Sequence, residues 1–377
     1  MICIDNKADC CGCGSCVEVC PKKCISFVED EEGFRYPQVN KEECVECGLC
    51  EGRCPIINEY KASDYNREAY GAYVKDDSAR MKSSSGGIFG EIAKHVLLGG
   101  GCVCGAAFEE DFQVSHIIIE NIEQLDLLRG SKYLQSTNKG IYSQVKKKLV
   151  DGKTVLYSGT ACQVAGLKKY LAKEYENLLT IDVLCHGVPS PKVWKKYIHE
   201  LSAFCNKPIT DVIFRNKNTG WKSYSVKIDI EGENSVCEKF MQNRYMRLFL
   251  SNICLRPSCH SCRYKSMERP SDITMGDFWG IEKKIPELDD DKGTSIVQIN
   301  TEKGKDIFKR IEANLVYQSV DIDKALPPTA DSRKSVRMHP RRSLFFKELD
   351  KKNMDKLMKL IEPSILGKIK RRFKEFL

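Results

Sequence analysis

Cys10-Cys11-Gly12-Cys13-Gly14-Ser15-Cys16-Val17-Glu18-Val19-Cys20-Pro21 and Cys44-Val45-Glu46-Cys47-Gly48-Leu49-Cys50-Glu51-Gly52-Arg53-Cys54-Pro55 repeat one pattern, C-x-x-C-x-x-C-x-x-x-C-P. Three Cys at this spacing wrap one iron–sulfur cube, and the fourth, held off by the proline turn, reaches a second cube. Zinc sites place Cys as C-x-x-C doublets about 12 or more residues apart, so a pair of zinc knuckles is the weaker reading. Cys3, Cys11 and Cys24 fall outside the pattern and read as plain small side chains.

The rest of the chain sets this segment in context. Eleven of the 20 Cys lie in the first 57 of 377 residues, and the polar stretch from Asn58 to Arg67 reads as a linker. A hydrophobic fraction of 42% with 30% charged residues excludes wholesale disorder. No apolar run approaches the ~20 residues of a membrane span, and the N-terminus offers no basic region before an apolar stretch. The expectation is a cytoplasmic protein whose clustered thiols bind metal rather than form disulfides. Net charge is concentrated at one end. Residues 331–377 hold 15 Lys and Arg against 6 Asp and Glu, so the preceding residues sum to −1 of the chain's +8. The neutral body gives no nucleic-acid signature. In the tail, Ile365, Leu366, Ile369, Phe373 and Phe376 draw one apolar stripe among Lys and Arg. This predicts a basic amphipathic helix, docked on the protein itself or attached peripherally to an anionic inner membrane face or an acidic protein.

From Tyr70 the pattern is α/β. Strands are predicted over 69–74, 101–108, 115–119, 154–157, 178–184, 212–214 and 224–230, with helices over 88–98, 141–149, 162–171 and 193–204. Cys162 opens a helix just after a strand, and Cys185 ends another strand, where ligands gather in α/β sheets. Cys259 and Cys262 form a lone C-x-x-C, which alone suits a redox dithiol or half a zinc site. Together the four make a thiolate set large enough for a third 4Fe–4S cluster, against the alternative of scattered core Cys. Cys102, Cys104, Cys205, Cys237 and Cys254 read as core residues. Ser84-Ser85-Gly86-Gly87 enters a helix as an anion site or an ordinary N-cap. It matches neither a dinucleotide fingerprint nor a P-loop. His186 and His260 adjoin candidate ligands, as weak candidates for proton transfer or as supports.

The N-terminal repeat resembles bacterial two-cluster ferredoxins. That resemblance implies one cluster on Cys10, Cys13, Cys16 and Cys54, and another on Cys44, Cys47, Cys50 and Cys20. A second resemblance rests on Ser84-Ser85-Gly86-Gly87, Arg129-Gly130-Ser131-Lys132-Tyr133, Gly159-Thr160-Ala161-Cys162-Gln163, Cys185-His186-Gly187 and Asp272-Ile273-Thr274-Met275-Gly276-Asp277-Phe278-Trp279-Gly280. In order and spacing these are similar to the beta-subunit family of coenzyme F420-reducing hydrogenases and dehydrogenases. The similarity runs from about Tyr70 to about Arg342. It implies FAD held by Ser84, Ser85, Gly86, Gly87, Gly130, Ser131, Lys132 and Tyr133, beside a cluster on Cys162, Cys185, Cys259 and Cys262. The family commonly has Pro where this chain has Ala161, and membership leaves the substrate open. The implied α+β architecture is a ferredoxin-type domain over 1–57, a mixed α/β flavin-binding region divided into 68–180 and 181–345, and the basic helical tail over 346–377.

A flavin exchanges hydrides for single electrons, and iron–sulfur cubes carry electrons singly. The combination predicts an oxidoreductase joining a one-electron redox partner or ferredoxin to a small two-electron substrate, through a mobile ferredoxin module. The rival reading is a non-catalytic electron-transfer adaptor that holds clusters and no flavin.

Overall fold

The computed structural model describes residues 1–59, 65–330 and 332–362, so the apolar stripe expected beyond Pro363 lies outside the described residues. Fourteen strands are present among them: β1 (Ile25–Glu29), β2 (Arg35–Val39), β3 (Glu68–Val74), β4 (Cys102–Phe108), β5 (Val114–Ile119), β6 (Ser136–Thr137), β7 (Val155–Thr160), β8 (Leu178–Val183), β9 (Ile209–Asn216), β10 (Ser225–Ile230), β11 (Val236–Lys239), β12 (Ile273–Asp277), β13 (Ser295–Ile299) and β14 (Leu315–Ser319). Nine of them form one sheet in the order β14-β3-β13-β12-β8-β7-β4-β5-β6. Its centre, β12-β8-β7-β4, is parallel, while β13, β3 and β14 add antiparallel on one side and β5 pairs antiparallel on the other. The parallel centre explains the unbroken apolar runs there. Val155, Leu156 and Tyr157 are wholly buried because helices cover both faces. The expected division at residues 180 and 181 falls inside β8, so this sheet takes strands from both sides of it.

β9, β10 and β11 form a separate antiparallel sheet. Cys237, expected in the core, is exposed on its edge strand β11, where alternate side chains face outward. Cys205 is half-buried at the end of the helix Pro191–Cys205, while Cys102, Cys104 and Cys254 are buried as expected.

The N-terminal module is packed against this body, which corrects the expectation of a mobile domain. β1 and β2 form a hairpin whose turn sits at the start of the helix Pro191–Cys205. Gly33 makes that approach possible: it is left-handed (φ +85°), and a Cβ would meet Lys192 Cβ at 2.3 Å. Phe34, the next residue, is fully buried in the cluster that contains Trp194 and Phe346. Arg342 grips the Glu32 carboxylate, with Nη1 donating to Oε1 at 2.8 Å. At the other side, Glu18 accepts from the backbone N–H of Ser143 at 3.0 Å and so caps the helix Ile141–Val150. Hydrophobic burial, a buried ion pair and a cap all fix the module, and none of these partners was legible in the cysteine pattern.

Candidate iron–sulfur relay

Each cysteine repeat folds as a loop leading into a single helical turn, Ser15–Glu18 or Leu49–Gly52, entered through a left-handed glycine, Gly14 or Gly48. The thiols then ring two hollows. Cys10, Cys13, Cys16 and Cys54 line the first, with Ile4 and Phe27 among its walls. Cys20, Cys44, Cys47 and Cys50 line the second, beside Val45 and Lys22. The exchange of the fourth Cys between repeats is therefore present in the chain's own geometry, and both donor sets suit a cube. Among the described residues no three His, Cys, Asp or Glu side chains close around a point fit for a single metal ion. Two Cys read as plain residues lie at these rings. Cys24 Sγ stands 3.4 Å from Cys20 Sγ. Cys11 lines the first hollow beside Cys10 and Cys13.

The third group forms from the sheet. In the β7–β8 pairing Thr160 stands opposite Val183, and each precedes its cysteine by two residues, so Cys162 and Cys185 emerge side by side. Thr160 and Gln163 form a capping box that starts the helix Ala161–Leu171 and holds Cys162 in its first turn. Gln163, part of the motif, is thereby explained as a cap whose Oε1 accepts from Thr160 N–H at 2.9 Å. An isolated bridge between Pro189 and Leu255 brings the C-x-x-C turn to the same place, and Val188 N–H donates to Cys259 Sγ at 3.3 Å. Burial is the main cause that pushes Cys185 up to about 12, with the Cys162 and Cys262 thiols adding repulsion. Cys259 and Cys262 are raised for the same reasons. Thiols this reluctant to ionise become thiolates when metal cations sit among them, which is the chemistry of a cluster site. Arg269 stabilises the floor, with its Nη2 donating to the fully buried Asp182 at 2.9 Å.

This group adjoins the first ring. Tyr264 O–H donates to Pro55 O at 3.0 Å and Arg263 Nη1 to Ile56 O at 3.0 Å, immediately after Cys54. Ile56, Cys162, Cys262 and Tyr264 pack in one cluster.

The residues expected at the flavin are two adjacent turns. Ser131 donates to Ser84 Oγ from its backbone N–H at 2.7 Å and from its hydroxyl at 3.0 Å. Gly87 precedes the helix Ile88–Leu98 without a capping side chain. Ser85 and Gly86 have internal partners: Ser85 Oγ donates to Thr294 O at 2.9 Å, and Gly86 N–H to Ser295 Oγ at 3.0 Å. Gly86 is needed for packing, since a Cβ would meet Ala72 O at 2.4 Å. Lys132 Nζ donates to Leu127 O and Arg129 O, and burial pushes it down to about 7. Tyr133 O–H accepts from Arg215 Nη1 at 3.2 Å, and Arg215 also grips Asp277. The uncapped helix start and the Ser84–Ser131 contact fit a phosphate-bearing group. Both histidines are engaged structurally. His186 Nε2 lies 2.7 Å from Asn252 Oδ1 and His260 Nδ1 lies 3.1 Å from Val336 O.

Residues 152–325 match the family model for the C-terminal part of the coenzyme F420 hydrogenase/dehydrogenase beta subunit. Residues 9–56 match that of the 4Fe-4S dicluster domain. No curated protein matches the chain. Among solved structures it is similar to a chain of the F420-reducing NiFe hydrogenase complex from Methanosarcina barkeri, with 16% identity, a TM-score of 0.46, and coverage of 80% of this chain and 90% of that one.

Proposed function

We propose, for a chain that joins a 4Fe–4S dicluster domain to the C-terminal domain of coenzyme F420 hydrogenase/dehydrogenase beta subunits, a flavin-linked oxidoreductase passing electrons between a one-electron redox protein and a small two-electron substrate. The observation that carries this reading is the packing of Ile56, Cys162, Cys262 and Tyr264 in one cluster, with Tyr264 O–H donating to Pro55 O at 3.0 Å, which joins the first ferredoxin-type ring to the group of Cys162, Cys185, Cys259 and Cys262. Electrons enter at the second ring, where Cys47 is exposed, and pass inward through the first ring to this third cluster. The module over 1–57 is the external terminal, and the body from 68 to 345 holds the substrate end.

FAD, when bound, exchanges one hydride for two single electrons. Ser84, Gly87, Gly130, Ser131 and Tyr133 hold it, and Ser85, Gly86 and Lys132 keep the two turns in shape through their internal bonds. His186 and His260 orient the loops that carry Cys185 and Cys259. Trp279, 47% exposed and stacked on Trp221 at 4.7 Å, offers a flat face for a planar substrate beside the Arg215–Asp277 pair.

The test is iron, sulfide and flavin quantification of anaerobically reconstituted protein. The expected result is about twelve irons, three cubes of four, and one FAD per chain. Full clusters without any flavin would favour the adaptor role instead.

A further inference from the structure

Arg256 is 1% exposed, yet among the described residues it forms no ion pair with a carboxylate. Its guanidinium lies on the first cysteine loop. Nε donates to Cys10 O at 2.8 Å, Nη2 to Arg35 O at 3.0 Å and to Cys10 Sγ at 3.5 Å, and Nη1 to Gln135 Oε1 at 3.2 Å. It stacks over Tyr36 at 4.4 Å from the ring centre. Gly12, left-handed at φ +72°, leaves room for it, since a Cβ there would meet Arg256 Cζ at 3.0 Å. On its own backbone, Arg256 O accepts from Cys259 N–H at 2.9 Å, so one residue spans the first ring and the C-x-x-C turn.

A buried cation without a counter-charge is strongly unfavourable, so this site needs a negative group. Four thiolates around an iron–sulfur cube supply it, and each added electron makes that group more negative. Positive charge and N–H···S bonds near a cluster raise its reduction potential by stabilising the reduced state.

We propose that Arg256 is the positioning residue and fixed counter-charge of the first iron–sulfur site, holding Cys10 in place and making that cluster easier to reduce than its twin. The planar fork sets four contacts at once, which an ammonium does not reproduce. The proposal rests on the iron–sulfur reading above, whose own failure would appear as missing cluster signals in the unaltered protein, before any variant is compared.

The experiment is an EPR-monitored redox titration of anaerobically reconstituted full-length protein, comparing wild type, Arg256→Gln and Arg256→Lys, with iron counted in each. Cys13→Ser identifies the first cluster by the signal it alters. The expected result is a shift to more negative potential in Arg256→Gln confined to that cluster, with a smaller shift in Arg256→Lys. If Arg256→Gln sheds iron from the first site alone, the proposal requires Arg256→Lys to retain it. Equal iron loss in both variants, equal shifts of all clusters, or unchanged potentials at full iron content would each overturn it.

Discussion

The first ring of thiols, around Cys10, Cys13, Cys16 and Cys54, is walled by Ile4 and Phe27 and covered by Arg256 from the body. The second, around Cys20, Cys44, Cys47 and Cys50, opens beside Lys22, Val45 and Glu46, with Cys47 exposed and Val45 57% exposed. Both arise from the same twelve-residue pattern. Their difference shows that a cysteine motif sets the spacing of the ligands, while the surface packed over it sets their access and charge environment. Burial against the body suits the first ring to the inward end of the proposed relay, and exposure suits the second to its outward end.

The largest expected effect cuts the inward path. Cys259→Ala should lower iron by about four per chain, the content of one cube, keep the flavin, and abolish electron transfer between flavin and the ferredoxin-type clusters. Iron analysis with rapid-mixing spectroscopy measures both, and retention of about twelve irons would remove Cys259 from the ligand set. Next is the attachment of the module itself. Glu32→Ala leaves Arg342 buried without its carboxylate, and breaking such a pair costs about 3–5 kcal/mol. Chemical denaturation should show the loss, and limited proteolysis should release the N-terminal module. Stability equal to wild type would mean that Phe34 and Glu18 suffice to hold it.

The asymmetry of the rings can be tested more finely. An iron chelator should strip the second cluster first, because Cys47 is exposed while Cys13 and Cys16 are buried. Cys47→Ala and Cys13→Ala should each remove one cluster's signal and leave FAD bound, but only Cys13→Ala should also weaken docking. Simultaneous loss of both clusters to the chelator would dissolve the distinction. The smallest effect concerns the fifth thiol of the outer ring. Cys24→Ala should leave iron content unchanged and perturb only the second cluster's EPR signal, since Cys24 touches Cys20 without replacing it.

No helix among the described residues is long and apolar enough to cross a membrane. The tail stripe that would test peripheral attachment begins at Ile365, outside the described residues.

Local spacing determined much of this protein by itself. The two Cys repeats defined the dicluster module, and the strand before Cys162 and the strand before Cys185 were legible because buried parallel strands must be apolar on both faces. Thr160 and Gln163 carried a helix start in their identities and separation. By contrast, the places of β12, β13 and β14 in the sheet were not legible, because their pairing with β8 and β3 joins residues more than 90 apart. Only the tertiary structure set Tyr264 against Pro55, Arg256 against Cys10, and Glu32 against Arg342. A ring of ligands three or four residues apart follows from chain geometry. Which side chain is buried over that ring follows from how distant surfaces pack, and charge and hydrophobic burial at that interface have no period along the sequence.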